Sequence, residues 1–443
     1  MSHRRLPVWL VLLSCTAILL VTPLSGSESS RPEPRLSTAS RYIVVTTAAE
    51  LVAALAADPD DLTIYVQRGT YLLSHAIQIP DGTALIGEGT MQYDDSGLPT
   101  GFVPESFTVI AALPGVAGNF VTLGNGASLQ GLVIQDVVRP ALTGGSVVVV
   151  SSRHPSDSVS TQVAECEIIN PNPVTGPGLT GPVGRGLMAI TRSLGSFSGP
   201  APHDQSLVSV HLTHSIIRSP GSGDGIFAIN FASGSHIELH LHRNVIGKLG
   251  ANGGVSRQDS TVGATTLIQS TGNLYRADNP APTVIGWQLN GGSDAPMLAP
   301  LIAEETLNNQ LSMHSVDDRI EGFGLAIAAT GGRKMNAQAG AIASNEMELI
   351  LQGTRLRTLL TSTTQDFMLF GARNLLGTAE GNELRVTMRN VIGSGPRANT
   401  YGDAASNLGV GNRLIITGNL NAFSRTNDDI SPVPGGNFFT AGR

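Results

Sequence analysis

Lysine is nearly missing from this chain: only Lys248 and Lys334 carry it in 443 residues. Charged residues of all kinds make up 14%, and the balance is acidic, with a net charge of −7. Binding a phosphate backbone requires a basic stripe that displaces counterions, so nucleic acid is not an expected partner and an anionic membrane surface is a poor one. Aromatic residues are also scarce, at 5%, so burial must come from Ile, Leu, Val and Ala. Only two cysteines are present, Cys15 and Cys166, and Cys15 falls in an N-terminal apolar run. With that run removed a single thiol would remain, no internal disulfide could form, and stability would have to come from packing and backbone pairing. Cys166 is expected as a small buried hydrophobe.

What is abundant is glycine, 52 residues of it, mixed with Ser, Thr and Asn. Such a chain suits short strands joined by polar turns. Its length exceeds that of an ordinary single-core domain, yet no linker divides the part after the N-terminus. A repeat architecture reconciles the two, because a solenoid extends one core indefinitely.

Residues 1–27 read as a signal peptide, with basic His3-Arg4-Arg5, an apolar run from Leu6 to Leu24, and small residues at Ser25-Gly26-Ser27. Export, to the medium, the cell surface or the periplasm, is therefore expected. The same run is long enough to persist as an uncleaved anchor, the one membrane association expected. Leu12-Leu13-Ser14-Cys15 resembles a lipoprotein cleavage box, although apolar residues continue past the cysteine. Residues 28–40, rich in Ser, Pro and Arg, read as a flexible tether. From 41 to 443 a single β-solenoid is expected. It opens with a strand at Arg41 to Val45 and a capping helix at about 47–57, where Thr47-Ala48-Ala49-Glu50 forms a capping box and Leu51 and Leu55 share one face.

Three short strands follow, Leu62 to Val66, Ala76 to Ile79 and Ala84 to Ile86, each closed by Gly or Asp turns and together matching one coil. Further on, an apolar residue is followed three positions later by a small or amide residue and two later by another apolar one. The pattern stands at Val163-Cys166-Ile168, Leu212-Ser215-Ile217, Leu241-Asn244-Ile246 and Leu351-Thr354-Leu356, with Asn273 and Asn390 anchoring weaker copies. Ser215, Asn244 and Asn273 are spaced by 29 residues, as are Asn390 and Asn419, a length that fits a three-sided coil. Alternating runs such as Val208-Val210-Leu212 and Ile237-Leu239-Leu241 fit half-buried strands. Insertions are expected at 171–186, 196–203 and 277–300.

The stretch from Val45-Thr46-Thr47-Ala48-Ala49-Glu50-Leu51 through Ile86-Gly87-Glu88-Gly89 resembles the N-terminal cap and first coil of the pectate-lyase-like (pectin lyase-like) superfamily. That resemblance implies an all-β, single-stranded, right-handed parallel β-helix with a short N-terminal capping helix, and extracellular polysaccharide as the ligand class. Calcium is implied as a cofactor by the resemblance alone; the residues themselves identify none. The family's catalytic motifs are incomplete. Arg218-Ser219-Pro220 matches the first half of an Arg-x-Pro-x-x-Arg stretch, but Gly223 stands where the second Arg belongs, and no Trp-Ile-Asp-His segment is present. Gly223-Asp224-Gly225 and Asp317-Asp318 suggest polygalacturonase-type acids, yet no His is flanked by two Gly.

Two constellations could carry chemistry. Aligning Ser215 with Asn244 sets His211 beside His240, Ser209 beside Glu238 and Thr213 beside His242 on an outward face, with the imidazoles about 5 Å apart. His211, Glu238 and His240 could then act as acid and base or hold a metal; polar residues on a solvated sheet are the competing reading. Arg218 and Asp224, with Arg257 and Asp259 one coil on, could position a sugar acid; as turn residues they would do nothing of the kind. Asp317-Asp318 beside Arg319 carries the same ambiguity, with a water-facing turn as the ordinary expectation. Three functions remain open: a polysaccharide-binding protein without demonstrable catalysis, a lyase or hydrolase of uronic-acid glycans, and a structural or adhesive surface protein, for which outward Ile350 beside Glu348 is the one hint. A monomer is the expected state.

Overall fold

A residue with alternating apolar neighbours at a polar corner can bury its side chain only if the next coil stacks on it, and that is how this chain folds. The structure, a computed structural model, describes residues 41–57, 61–138, 145–171, 185–191, 205–219, 224–256, 260–278, 280, 284–294, 305–334, 340–359, 365–374, 379–393, 399–401, 409–418, 425–427 and 438–442. The expected leader and tether, Arg257, Asp259, Asn419 and most of the expected insertions lie outside them.

Three long parallel sheets run the length of the solenoid. Sheet A has 13 strands from Arg41–Val45 to Phe438–Gly442, sheet B nine from Gly69–Leu73 to Arg355–Arg357, and sheet C eleven from Ile77–Ile79 to Arg425–Asn427. One coil shows the path: Leu207–Thr213 in sheet A, a corner at His214, Ile216–Arg218 in sheet B, then Asp224–Asn230 in sheet C, before His236–His242 opens the next coil directly beside Leu207–Thr213. Parallel strands joined by such crossovers coil right-handedly because of the strand twist. The result is the right-handed parallel β-helix that the sequence implied. Inward residues from every coil merge into one apolar core running from Val45 to Ile416.

The corners explain the repeat. Between sheets A and B one residue per coil adopts a left-handed conformation, including Glu165, His214, Arg243, Gly272 and Asp317. The residue after it turns inward: Cys166, Ser215, Asn244, Asn273 and Asp318 are all fully buried. The Asn244 amide nitrogen of the backbone donates to Asn273 Oδ1 at 2.8 Å, and Asn273 in turn donates to Asp318 Oδ1 at 2.7 Å. The spacing of 29 residues holds from Ser215 to Asn273, and the next step is 45. Asn390 is not an anchor; it takes the left-handed corner position itself and leaves its side chain outside.

A second ladder, unforeseen in the sequence, lines the corner between sheets C and A. Asn309, Asn345, Asn382 and Asn412 stack there, each Oδ1 accepting from the preceding asparagine or, for Asn309, from Ala264 N at 2.9 Å. Two-residue strands such as Thr306–Leu307 and Ile342–Ala343 form a small fourth parallel sheet beside it.

At the N-terminal end the helix Ala48–Ala56 covers the core. Thr47 Oγ1 accepts from Glu50 N, and Glu50 Oε2 accepts from Thr47 N at 3.1 Å, completing the expected capping box. Leu51, Ala54 and Leu55 are buried against the first coil. Among the described residues one antiparallel pair breaks the pattern, a hairpin of Met91–Tyr93 and Pro99–Phe102.

Candidate functional site

Sheet A presents its outer face in straight columns, because parallel strands in register place every second side chain above its counterpart. In one column the register sets Gln162, His211, His240, Gln269 and His314 side by side on five successive strands. The neighbouring column holds Ser160, Ser209, Glu238, Leu267, Ser312 and Glu348.

The expected pairing of His211 with His240 is present and closer than the strand spacing alone suggests: the rings stack with centroids 4.3 Å apart and planes 8° from parallel. Thr213 lies beside His242 and Ser209 beside Glu238, as the alignment predicted. Glu238 sits between two imidazoles, 3.0 Å from His236 Nε2 and 3.5 Å from His240 Nε2. Beyond them His240 Nδ1 meets Gln269 Oε1 at 3.0 Å and His236 Nδ1 meets Thr265 Oγ1. A continuous hydrogen-bonded chain therefore crosses the strand His236–His242 and reaches its neighbour.

Burial and neighbouring charge set the protonation of this face. Partial desolvation, followed by the approach of His240, holds His211 below the ordinary imidazole range despite Glu238. Desolvation also acts on Glu238 and would raise its carboxyl, but hydrogen bonds from His236 and His240 outweigh it, so Glu238 is held down as a carboxylate. The arrangement supplies a carboxylate base hydrogen-bonded to two imidazole rings, on an open sheet.

The hairpin adds a rim that the sequence reading missed. Tyr93 donates to Glu165 Oε1 at 2.8 Å and meets the His214 ring edge-on at 5.6 Å; His214 meets His242 in the same way at 5.6 Å. Ser96 Oγ receives Arg319 Nη2 at 3.4 Å, so the hairpin lies across corners of several coils. Its only sequence signal is the turn run Asp94-Asp95-Ser96-Gly97, where Asp94 Oδ1 accepts from Ser96 N and Leu98 N. His314 was missed as well. It stands 3.8 Å from Glu348 Oε2 and repeats the imidazole-carboxylate pairing further along the face. The 45-residue step before it hides its register from the sequence.

Of the second constellation only Arg218 and Asp224 lie among the described residues. Arg218 ends a sheet B strand and donates through Nε to Glu167 Oε1 at 2.6 Å. Asp224 is not a turn residue; it opens the sheet C strand Asp224–Asn230, is buried, and is bridged by Lys248 at 3.1 Å and Arg185 at 3.6 Å. A carboxylate desolvated in this way needs those two cations, which leaves it committed to structure. Asp318 likewise does not face water: it is a fully buried member of the corner ladder, while Asp317 takes the left-handed turn beside it. Cys166 is the buried small residue expected, and burial pushes its thiol up to about 12.

These residues do not fit calcium. Asp224 is already bridged by two cations and Glu238 is hydrogen-bonded to two imidazoles, and among the described residues no group of three or more His, Cys, Asp or Glu converges as a metal site. No described helix is long and apolar enough to cross a membrane.

No protein-family model matches the chain, and no curated protein matches it. Solved structures similar to it include the Dettilon tailspike protein gp208, at 8% identity over 90% of this chain and 68% of that one, with a TM-score of 0.35. The tailspike protein gp49 from Acinetobacter baumannii bacteriophage Fri1, a capsular polysaccharide depolymerase, is 9% identical over 91% of this chain and 62% of its own length, with a TM-score of 0.31. A polygalacturonase from Erwinia carotovora is 11% identical over 86% of this chain and 99% of that one, with a TM-score of 0.32. By its own architecture, a capping helix followed by coils that pass from sheet A through a left-handed corner to sheets B and C, the chain is a right-handed parallel β-helix.

Proposed function

We propose that the chain is an exported glycan-binding protein whose recognition surface is the outer face of sheet A. The observation that carries this reading is the column Gln162, His211, His240, Gln269 and His314, which offers an amide or imidazole on each of five consecutive strands. A linear polysaccharide laid along the solenoid axis meets an equivalent hydrogen-bonding group at each coil, with hydroxyls of Ser209 and Ser312 and carboxylates of Glu238 and Glu348 alongside. Planar polar groups on a rigid sheet lose little conformational freedom on binding, which favours affinity. The adhesive reading would need an apolar stripe, but Ile350 stands between His314 and Thr387 as one aliphatic residue in a polar column.

A glycan array probed with the full chain tests the reading. Retained polysaccharide, reduced at least tenfold by a paired Gln162→Ala and Gln269→Ala substitution, is the expected result; a silent array overturns it. A second reading, lyase or hydrolase action on uronic-acid glycans, is favoured by one observation, the Glu238 carboxylate held between His236 and His240. Proton abstraction by such a base contributes on the order of a hundredfold or more in rate. Unsaturated products or new reducing ends that disappear in His240→Ala would establish it, and full activity in that variant would remove the site from consideration.

A further inference from the structure

Half of the ten histidines in the chain lie on two adjacent coils: His211 and His214 on one, His236, His240 and His242 on the next. Their placement is not that of scattered surface residues. His211 and His240 stack face to face at 4.3 Å, while His214 and His242 meet edge to face at 5.6 Å. The register fixes the first pair on the two strands, and His214, at the corner just after Thr213, donates its backbone N–H to His242 O at 3.1 Å.

The charged and titratable groups facing these rings are few. His211 faces His240 and Glu238; His236 and His240 both face Glu238; His214 faces Tyr93, Glu165, Arg243 and His242; His242 faces His214 and Arg243. With neutral imidazoles, one guanidinium opposes two carboxylates and the patch is slightly negative. With the imidazoles protonated it becomes strongly positive.

Stacked rings resist that change on their own. Protonating both members of a pair at 4.3 Å sets two like charges face to face beside a single carboxylate, Glu238, which His236 also shares, and burial together with Arg243 works in the same direction on His214 and His242. An anion lying across both coils removes the conflict, because it supplies the missing counter-charge. Proton uptake and anion binding are then linked, each requiring the other.

We infer that the strands Leu207–Thr213 and His236–His242 form an acid-gated site for polyanionic glycans, bearing carboxylate or sulfate groups, which is closed at neutral pH and opens as its imidazoles take up protons. The inference rests on the polysaccharide reading above and goes beyond it by naming the charge class and the condition for binding.

The test compares retention of the full chain on dextran sulfate, polygalacturonate and uncharged dextran at about pH 7.5 and about pH 5, at low salt, where imidazole is the side chain whose charge changes most. Retention on both anionic polymers is expected to rise roughly tenfold per pH unit for each proton taken up. The double variant His211→Gln, His240→Gln should lose this step, while His75→Gln with His154→Gln, which alters distant exposed histidines, should keep it. A preference for only one anionic polymer would assign the site to carboxylate or to sulfate and still support the gate. Flat retention between the two pH values overturns the inference, as does a step that survives in the His211/His240 variant, which would belong to the overall charge of an acidic protein. Array binding to neutral glycans without pH dependence would leave the polysaccharide reading standing and remove the gate; no retention on any glycan at either pH would remove both. One measurement needs no variant: imidazole proton resonances of the unaltered chain should titrate at higher pH when dextran sulfate is added, and an unmoved titration overturns the gate.

Discussion

His211 and Cys166, on adjacent coils, illustrate how position along a coil assigns opposite fates to polar groups. His211 faces outward beside His240, whereas Cys166, just past a left-handed corner, is sealed in the core. With its thiol pushed up to about 12, Cys166 holds almost no thiolate at neutral pH, and the thiolate is the reactive form. A thiol reagent should therefore leave Cys166 unmodified in the native chain and label it in denaturant, as located by peptide mass mapping; rapid labelling of Cys166 in the native chain would contradict the burial. For His211, His214 and His242 the sign of the pH effect follows from their depressed folded values. The unfolded chain takes up these protons more readily, so stability is intact above the ordinary imidazole value of about 6.5 and declines as pH falls below it toward the folded values. The melting temperature of the unaltered chain relative to His211→Gln, both without ligand, should fall between about pH 7 and pH 5. The outward pairing was legible from the sequence because Ser215 and Asn244 differ by a regular coil, whereas His314 was hidden by an irregular one.

At the scale of the element, the two corner ladders are the clearest physical device. Each asparagine has both an acceptor and a donor, so Asn345 can accept from Asn309 N and Nδ2 while giving its own Nδ2 to Thr306 O at 2.9 Å and to Asn382. Asp318 occupies the equivalent place in the first ladder with a carboxyl, and burial raises it to about 6. Because the folded value lies above the ordinary carboxyl value, the folded state binds the proton more tightly. The contribution of Asp318 to stability is therefore full at low pH and is lost as pH rises through about 6. Asp318→Asn should stabilise the chain at about pH 7.5 by on the order of 1–3 kcal/mol and make little difference at about pH 4, as measured by denaturant unfolding; a destabilised variant at the higher pH would contradict the burial penalty. The second ladder also depends on glycine. A Cβ on Gly292 would stand 2.3 Å from Asn345 Cγ, and Gly254 and Gly332 face Asn309 and Asn382 in the same way. Gly292→Ala should cost roughly 1–3 kcal/mol by overpacking, in the same unfolding measurement. The repeated pairs Gly253-Gly254, Gly291-Gly292 and Gly331-Gly332 are visible in the sequence, but only the coil path shows what they make room for.

The whole molecule has an end to protect. A parallel sheet stops with unpaired backbone groups and open apolar layers, and the helix Ala48–Ala56 lies over the first coil with Leu51 fully buried. Leu51→Asp would bury a carboxylate there at a cost of several kcal/mol. The expected outcome is a displaced helix and concentration-dependent association, read by light scattering; a variant as soluble and stable as the original chain would show that the helix is dispensable.

Across these scales the sequence by itself determined whatever depends on local pattern: the alternation that makes strands, the capping box at Thr47 and Glu50, the small or amide residue at the first corner, and the outward pairing of His211 with His240. It could not determine which polar residues would meet across coils of unequal length, since that depends on how many residues each insertion holds. Only the tertiary structure decided that Asp224 is neutralised by Arg185 and Lys248, that Asp318 belongs to a buried ladder, and that the Tyr93 hairpin reaches Glu165 and Arg319. A charge becomes structural or available for binding according to the neighbours that remove its water, and those neighbours are assembled only when the coils stack.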